Sequence, residues 1–189
     1  MTREDAIKIM DDLGNSPNMK KHGLAAGYVM SALFDYLQKK GKKPELSNEI
    51  WGIAGLLHDA DYEKTNKSEE LHTEETTKML HHIGAEKEII DAVRGHADKE
   101  LRRTLMSKSI YACDELTGLI VAAALVQPDK KLKSLSTESV MRKFKDKSFA
   151  AGANRDQIKT CESELKIPLE EFISISLQAM QLYSNELGL

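Results

Sequence analysis

Apolar residues recur at three- and four-residue spacing along nearly the whole chain, and no stretch alternates in the manner of a half-buried strand. The pattern predicts helices only. Thr2 with Asp5 reads as a capping box for a first helix ending near Gly14. Ser16-Pro17 offers an N-cap and a first-turn proline for a long helix reaching about Gly41. Ser47 caps a third helix, whose apolar run Trp51 to Leu57 leads into His58-Asp59. Ser68 caps a fourth, stopped by Gly84. Glu86 to His96 makes a fifth, and about Thr104 to Val126 a sixth, ended by Gln127-Pro128. A last helix starts near Pro168 and carries Leu169, Phe172, Ile173, Ile175, Leu177, Met180 and Leu187. The expected fold is all-α: one domain over 1–189, with a helical core over about 16–126 and a helical C-terminal extension over about 128–189.

Composition narrows the class. A chain of 189 residues with 41% hydrophobic and 30% charged residues can bury a real core and is not of disordered type. A net charge of −3 gives no footprint for nucleic acid or a membrane surface, so neither is expected as a partner. The longest near-apolar stretch, Leu116 to Val126, is too short to span a bilayer, and the start lacks the form of a signal peptide. Cys113 and Cys161 lie far apart on helical patterns and read as buried free thiols. The expected location is the cytoplasm. From Asp129 to Lys159 nine Lys/Arg stand against four acids, a locally basic segment in a slightly acidic protein.

The chemistry lies in six inward polar residues. His22 shares a helix face with Met19, Ala25, Ala26, Val29, Leu33 and Tyr36. His58 closes the apolar run of its helix. His72 aligns with Thr76, Met79, Leu80 and Ile83, and His96 with Ala85, Ile89, Ala92 and Val93. Asp114 belongs with Ile110, Thr117, Gly118, Val121 and Leu125, and Asp59 adjoins His58. His81 and His82, among Glu74, Glu75, Thr77 and Lys78, face solvent. A lone inward histidine is ordinarily a core residue bonded to a carbonyl. Four of them with two aspartates satisfy one another most simply by converging on one or two cations.

Taken in order, His22, His58-Asp59, His72, His96 and Asp114 resemble the ligand pattern of the HD superfamily of metal-dependent phosphohydrolases, over roughly residues 16 to 126. Lys21-His22-Gly23-Leu24-Ala25, Gly55-Leu56-Leu57-His58-Asp59-Ala60-Asp61-Tyr62 and Ala112-Cys113-Asp114-Glu115-Leu116-Thr117-Gly118 look like the corresponding segments of a bacterial and archaeal branch of predicted HD hydrolases. Pro128-Asp129-Lys130-Lys131 and Phe144 to Ala150 also look like that branch. The resemblance implies the all-helical HD core, with His22, His58, Asp59 and Asp114 on a first metal. His72 and His96 match the additional histidines of binuclear members, in which Asp59 bridges two ions. Two positions depart from relatives. Gly95-His96-Ala97-Asp98-Lys99-Glu100 lacks the Gly-Tyr-Pro signature of cyclic-dinucleotide phosphodiesterases, and Tyr62 stands where several HD enzymes place a lysine.

What the resemblance implies is hydrolysis of a phosphate ester or anhydride of a small molecule, a nucleotide first of all, by metal-activated water. A family that hydrolyses diadenosine tetraphosphate is similar in ligand order. Asp59 is the expected catalytic centre with Asp61, and Asp61, Asp98 and Glu115 are candidates for orienting ligands or protonating a leaving group. Lys143, Lys145, Lys147 and Arg155 are candidates to fold over the metal mouth and neutralise substrate phosphates. Imidazole and carboxylate ligands suit Fe, Mn, Co, Ni or Zn, and magnesium less well. Two other classes share the ligand set: a di-iron HD-type oxygenase and a non-catalytic nucleotide-binding sensor.

Overall fold

Capping chemistry sets most of the helix starts. The structure is a computed structural model describing all 189 residues, with ten α-helices and no strand. They are α1 (Arg3–Asp12), α2 (Pro17–Lys39), α3 (Asn48–Leu57), α4 (Glu74–His82), α5 (Lys87–His96), α6 (Leu105–Leu125), α7 (Thr137–Lys145), α8 (Arg155–Thr160), α9 (Leu169–Leu182) and α10 (Ser184–Leu187). The all-α expectation holds. The Thr2–Asp5 capping box forms, Ser16 accepts from the Met19 amide and Ser47 from that of Ile50. Gly14, Gly41 and Gly84 follow the ends of α1, α2 and α4 with positive φ. No helix is long and apolar enough to cross a membrane.

One start differs from the sequence reading. Ser68 does not cap α4; its hydroxyl accepts only from the Leu71 amide in a local turn. Asn66, Lys67 and Thr73 have φ of 53°, 60° and 71°, left-handed values that no helix continues through. Residues 58–73 are therefore turns, and α4 begins at Glu74. Its first amides are satisfied from a distance, because Asp61 accepts from the Thr73 and Thr76 N–H groups at 2.8 and 3.0 Å. The last predicted helix is also divided, with Tyr183 separating α9 from α10.

α2 and α3 pair antiparallel at unusually close range. A Cβ at Gly23 would lie 2.5 Å from the Leu56 carbonyl oxygen, and one at Gly27 2.8 Å from that of Gly52. A Cβ at Gly55 would meet the Ala26 and Gly27 backbone at 2.8 Å. Only glycine permits these approaches. Farther along, the Asn48 amide donates to the Ser31 carbonyl and to Asp35. Trp51, fully buried edge-on to Phe34, donates its indole N–H to the Glu45 carbonyl. This register sets His22 of α2 against His58 at the end of α3.

α6, about 30 Å long by helical rise, packs against α2, α5, α7, α8 and α9. One cluster of 44 buried apolar residues runs from Ala6 to Leu187, so the helices after Pro128 share the core of the first six. Cys113 and Cys161 are buried free thiols within it.

Candidate metal centre

Four helices and one turn deliver the six inward residues to one place. His22 comes from the first turns of α2, His58 and Asp59 from the end of α3, His96 from the last residue of α5, and Asp114 from the middle of α6. His72 comes from the turn before α4. The ligating atoms of His22, His58, Asp59 and Asp114 lie within 4.8 Å of one another, and so do those of Asp59, His72 and His96. Asp59 belongs to both groups, one oxygen to each. Its Oδ2 is 3.2 Å from His22 Nε2 and 3.6 Å from His58 Nε2. Its Oδ1 is 3.1 Å from both His72 Nε2 and His96 Nε2. Asp114 Oδ1 closes the first group, 3.2 Å from His58 Nε2 and 3.3 Å from His22 Nε2.

Hydrogen bonding on the far side of each ring tests whether a cation fits. His58 Nδ1 lies 2.7 Å from the Gly55 carbonyl and His96 Nδ1 2.5 Å from the Val93 carbonyl, so each Nδ1 carries the proton and donates. Both carbonyls belong to final helical turns, which lack partners within the helix. His72 Nδ1 donates to Asp61 Oδ1 at 2.9 Å. The Nε2 atoms of His58, His72 and His96 are then bare lone pairs in the neutral rings. Yet His22 Nε2 is 3.1 Å from His58 Nε2, and His72 Nε2 is 3.0 Å from His96 Nε2, with carboxylate oxygens around both pairs. Around His72, His96 and Asp59 acceptors face acceptors at hydrogen-bond distance, and positive charge between them reconciles that arrangement. The ends of α3 and α5 add the negative poles of two helix dipoles. The residues fit divalent metal, and a shared carboxylate fits two ions.

The proton affinities state the same demand. Burial opposes the charged imidazole of His22, but hydrogen bonds and charges from Asp114 and Asp59 push it up to about 10. His72 is pushed up to about 9 as Asp59 and Asp61 outweigh its burial. For His58, burial is outweighed by the charges of Asp59 and Asp114. Burial would raise Asp59, but His58 and the hydrogen bonds of His22, His72 and His96 hold it well below the usual carboxylate range. Asp114 falls likewise, through His58 and His22 against burial. Cys113 adjoins Asp114 but turns into the core; burial, then Asp114, pushes its thiol far up, which disfavours the ligating thiolate.

Outer contacts fix the candidate ligands. Asp61, fully buried, spends its carboxylate on His72 and on the Thr73 and Thr76 amides. It is walled off from substrate, which corrects the proton-transfer role considered from sequence: Asp61 positions His72. The Lys99 ammonium donates to the His72 carbonyl at 2.6 Å and to that of Glu70. His22 is the most loosely held, with Thr117 Oγ1 3.5 Å from its Nδ1.

A cavity of about 640 Å³ opens over the ligands, and its other lining side chains include Tyr62, Glu69, Asp98, Glu115 and Gln157. Gln157 is the contribution of the C-terminal region. No lysine or arginine lines this cavity. Lys143, Lys145, Lys147 and Arg155, expected at the mouth, are elsewhere. Arg155 spends its guanidinium on backbone carbonyls, among them Ala153 at 2.8 Å, Phe149 and Ala150. Lys143 lies over the Phe149 ring at 4.4 Å, and Lys145 and Lys147 point to solvent. Basic composition gave no warning of these local uses. Asp98 pairs with Arg102, while Glu115 is half-buried with its carboxyl raised by burial and by Asp114. His81 and His82 are exposed as expected. Lys99 and Gln157 were not singled out in the sequence; each acts through contacts far along the chain, which helix periodicity does not carry. A second cavity of about 460 Å³, lined by Leu24, Tyr28, Ile53 and Leu182 among others, contains none of the ligands.

Comparison with known proteins adds one match. A family model described as the HD domain matches residues 20–119. No curated protein and no solved structure matches the chain.

Proposed function

The chain belongs to the HD domain family, and from that premise we propose that it is a metal-dependent phosphohydrolase cleaving a phosphate ester or anhydride of a small molecule, a nucleotide among the first candidates. The observation that carries the reading is Asp59, whose two oxygens each face a different pair of bare imidazole nitrogens. A divalent ion held there would supply the Lewis acidity that makes water a nucleophile near neutral pH and polarises a phosphoryl oxygen. His22, His58, Asp59 and Asp114 would hold one ion, and Asp59, His72 and His96 a second. The protein's own part is to fix these donors. Backbone carbonyls orient His58 and His96, Asp61 orients His72, and Lys99 ties down the turn that bears it.

The mouth sets what enters. A cavity of about 640 Å³ is of the size that takes a small phosphorylated compound. Because no lysine or arginine lines it, neutralisation of the phosphoryl group falls to bound metal rather than to the basic segment. The two free buried thiols support a reducing compartment and hence a cytoplasmic setting.

The test is phosphate release from nucleotides, dinucleoside polyphosphates and sugar phosphates, with manganese or anaerobic ferrous iron. The Asp59→Asn variant is the control, expected to lose bound metal and to fall to background. A variant that keeps full metal content and activity overturns the assignment. The same shared-carboxylate set suits two iron ions, which favours one second reading, an HD-type oxygenase. Oxygen consumption by the ferrous protein without phosphate release would replace the hydrolase with it. Tight nucleotide binding without any turnover would make the protein a sensor.

A further inference from the structure

A phosphoryl group brings only acceptor oxygens, so the mouth must offer donors. The non-ligand side chains there are nearly all acceptors. Glu69, Asp98 and Glu115 are carboxylates, and Asp98 is already paired with Arg102. The Gln157 amide nitrogen is tied to the Tyr111 carbonyl at 2.9 Å, which leaves one N–H. The remaining donor is the Tyr62 hydroxyl, which has no partner in the protein and is not sealed in the core.

Tyr62 is also well placed. Its ring stands edge-on to His72, with centroids 5.3 Å apart, beside the second ligand group. Its amide donates to the Asp59 carbonyl at 3.0 Å, and its carbonyl accepts from the Lys67 amide at 2.9 Å and the Thr65 hydroxyl at 3.2 Å. The residue is pinned to the turn that carries the bridging carboxylate, with only its hydroxyl uncommitted. Such a group is pre-organised for a ligand.

We propose that the Tyr62 hydroxyl donates a hydrogen bond to a phosphoryl oxygen of the substrate and so holds that group against the Asp59, His72 and His96 side of the centre. This rests on the phosphohydrolase reading and adds a substrate-binding residue to it. A hydroxyl on a phosphoryl oxygen makes a short charge-assisted bond. Removing it weakens binding by about 10- to 100-fold.

The experiment titrates manganese-loaded protein with inorganic phosphate by calorimetry, in wild type, Tyr62→Phe and Gln157→Leu. Phenylalanine keeps the ring packed on His72 and removes only a hydroxyl without a protein partner, so metal content and thermal midpoint should stay at wild-type values. The expected result is a phosphate Kd raised at least about tenfold in Tyr62→Phe, with a matching fall in kcat/KM on any substrate turned over. Unchanged phosphate affinity in Tyr62→Phe overturns the Tyr62 contact and leaves the hydrolase reading intact. A loss confined to Gln157→Leu does the same and moves the donor to α8. Wild-type protein that holds manganese and binds no phosphate overturns both.

Discussion

His58 and His96 are held by helix ends, whereas His72, the partner of His96, is held by a turn. For the first two, Nδ1 donates to the carbonyl three residues back, in the last turn of α3 and of α5. Those carbonyls need a donor in any case, so orientation of the ligand and completion of the helix are one interaction. His72 has no such helix. It relies on Asp61 from eleven residues away, on Lys99 beneath its carbonyl, and on a left-handed Thr73 immediately after it. The lesson is that the two halves of the centre differ in what supports them. The first group is built on α2, α3 and α6, and the second joins the end of α5 to a buried carboxylate and a strained turn.

The largest expected effect that separates the halves is that of Asp61→Ala. It leaves the buried Thr73 and Thr76 amides without an acceptor and frees His72 to rotate. Loss of such an outer partner typically costs 10- to 100-fold in metal affinity, and orphaned buried amides cost about 3 kcal/mol of stability together. Metal analysis should find the His22–His58–Asp114 group still loaded at concentrations where the second group empties. Equal loss from both groups would show that the halves are one cooperative unit.

Proton competition should act on both halves alike. In the metal-free protein His22 and His72 are raised to about 10 and about 9, above the ordinary imidazole value near 6.5. Raised values mean the folded state keeps protons that the unfolded chain loses. That stabilisation is whole below about pH 6.5 and disappears as pH rises through 9 to 10. Metal must displace the same protons, so affinity should climb between pH 7 and 9, by about tenfold per unit for each proton displaced. Calorimetry in buffers of different ionisation enthalpy would count the protons, and a flat profile would break the scheme.

The same contrast decides what could be read from the chain. His22, His58, His96 and Asp114 sit on or at the ends of regular helices, so periodicity put them inward and spacing carried the resemblance. The structure brings His72 to the same place, but the face that periodicity assigns it belongs to a helix that starts two residues later. The stretch after Ser68 reads as the start of a helix because Ser68 is a good cap residue. The actual stop is three left-handed residues and a distant carboxylate, and sequence periodicity senses neither. The basic segment does not line the cavity for a related reason. Charge along a chain does not say which guanidinium its own turn will consume, and Arg155 is consumed by the carbonyls of the segment around it.

The smallest effect bears most directly on the strained turn. Thr73 is a buried β-branched residue at φ 71°, and its hydroxyl has no partner. A left-handed backbone at such a residue costs about 1–3 kcal/mol, and glycine would remove that strain while giving back up to about 1 kcal/mol through a freer unfolded chain. Thr73→Gly should therefore leave the metal-free protein as stable as wild type or more stable by about 1 kcal/mol, measured by urea unfolding. If the strain serves to aim His72, the same change should loosen the second group, with metal there bound several-fold more weakly and the first group unaffected. A variant that gains stability and keeps both affinities would mean that Asp61 and Lys99 suffice to hold the turn, and that the left-handed residue follows from the chain's path and contributes nothing to aiming the ligand.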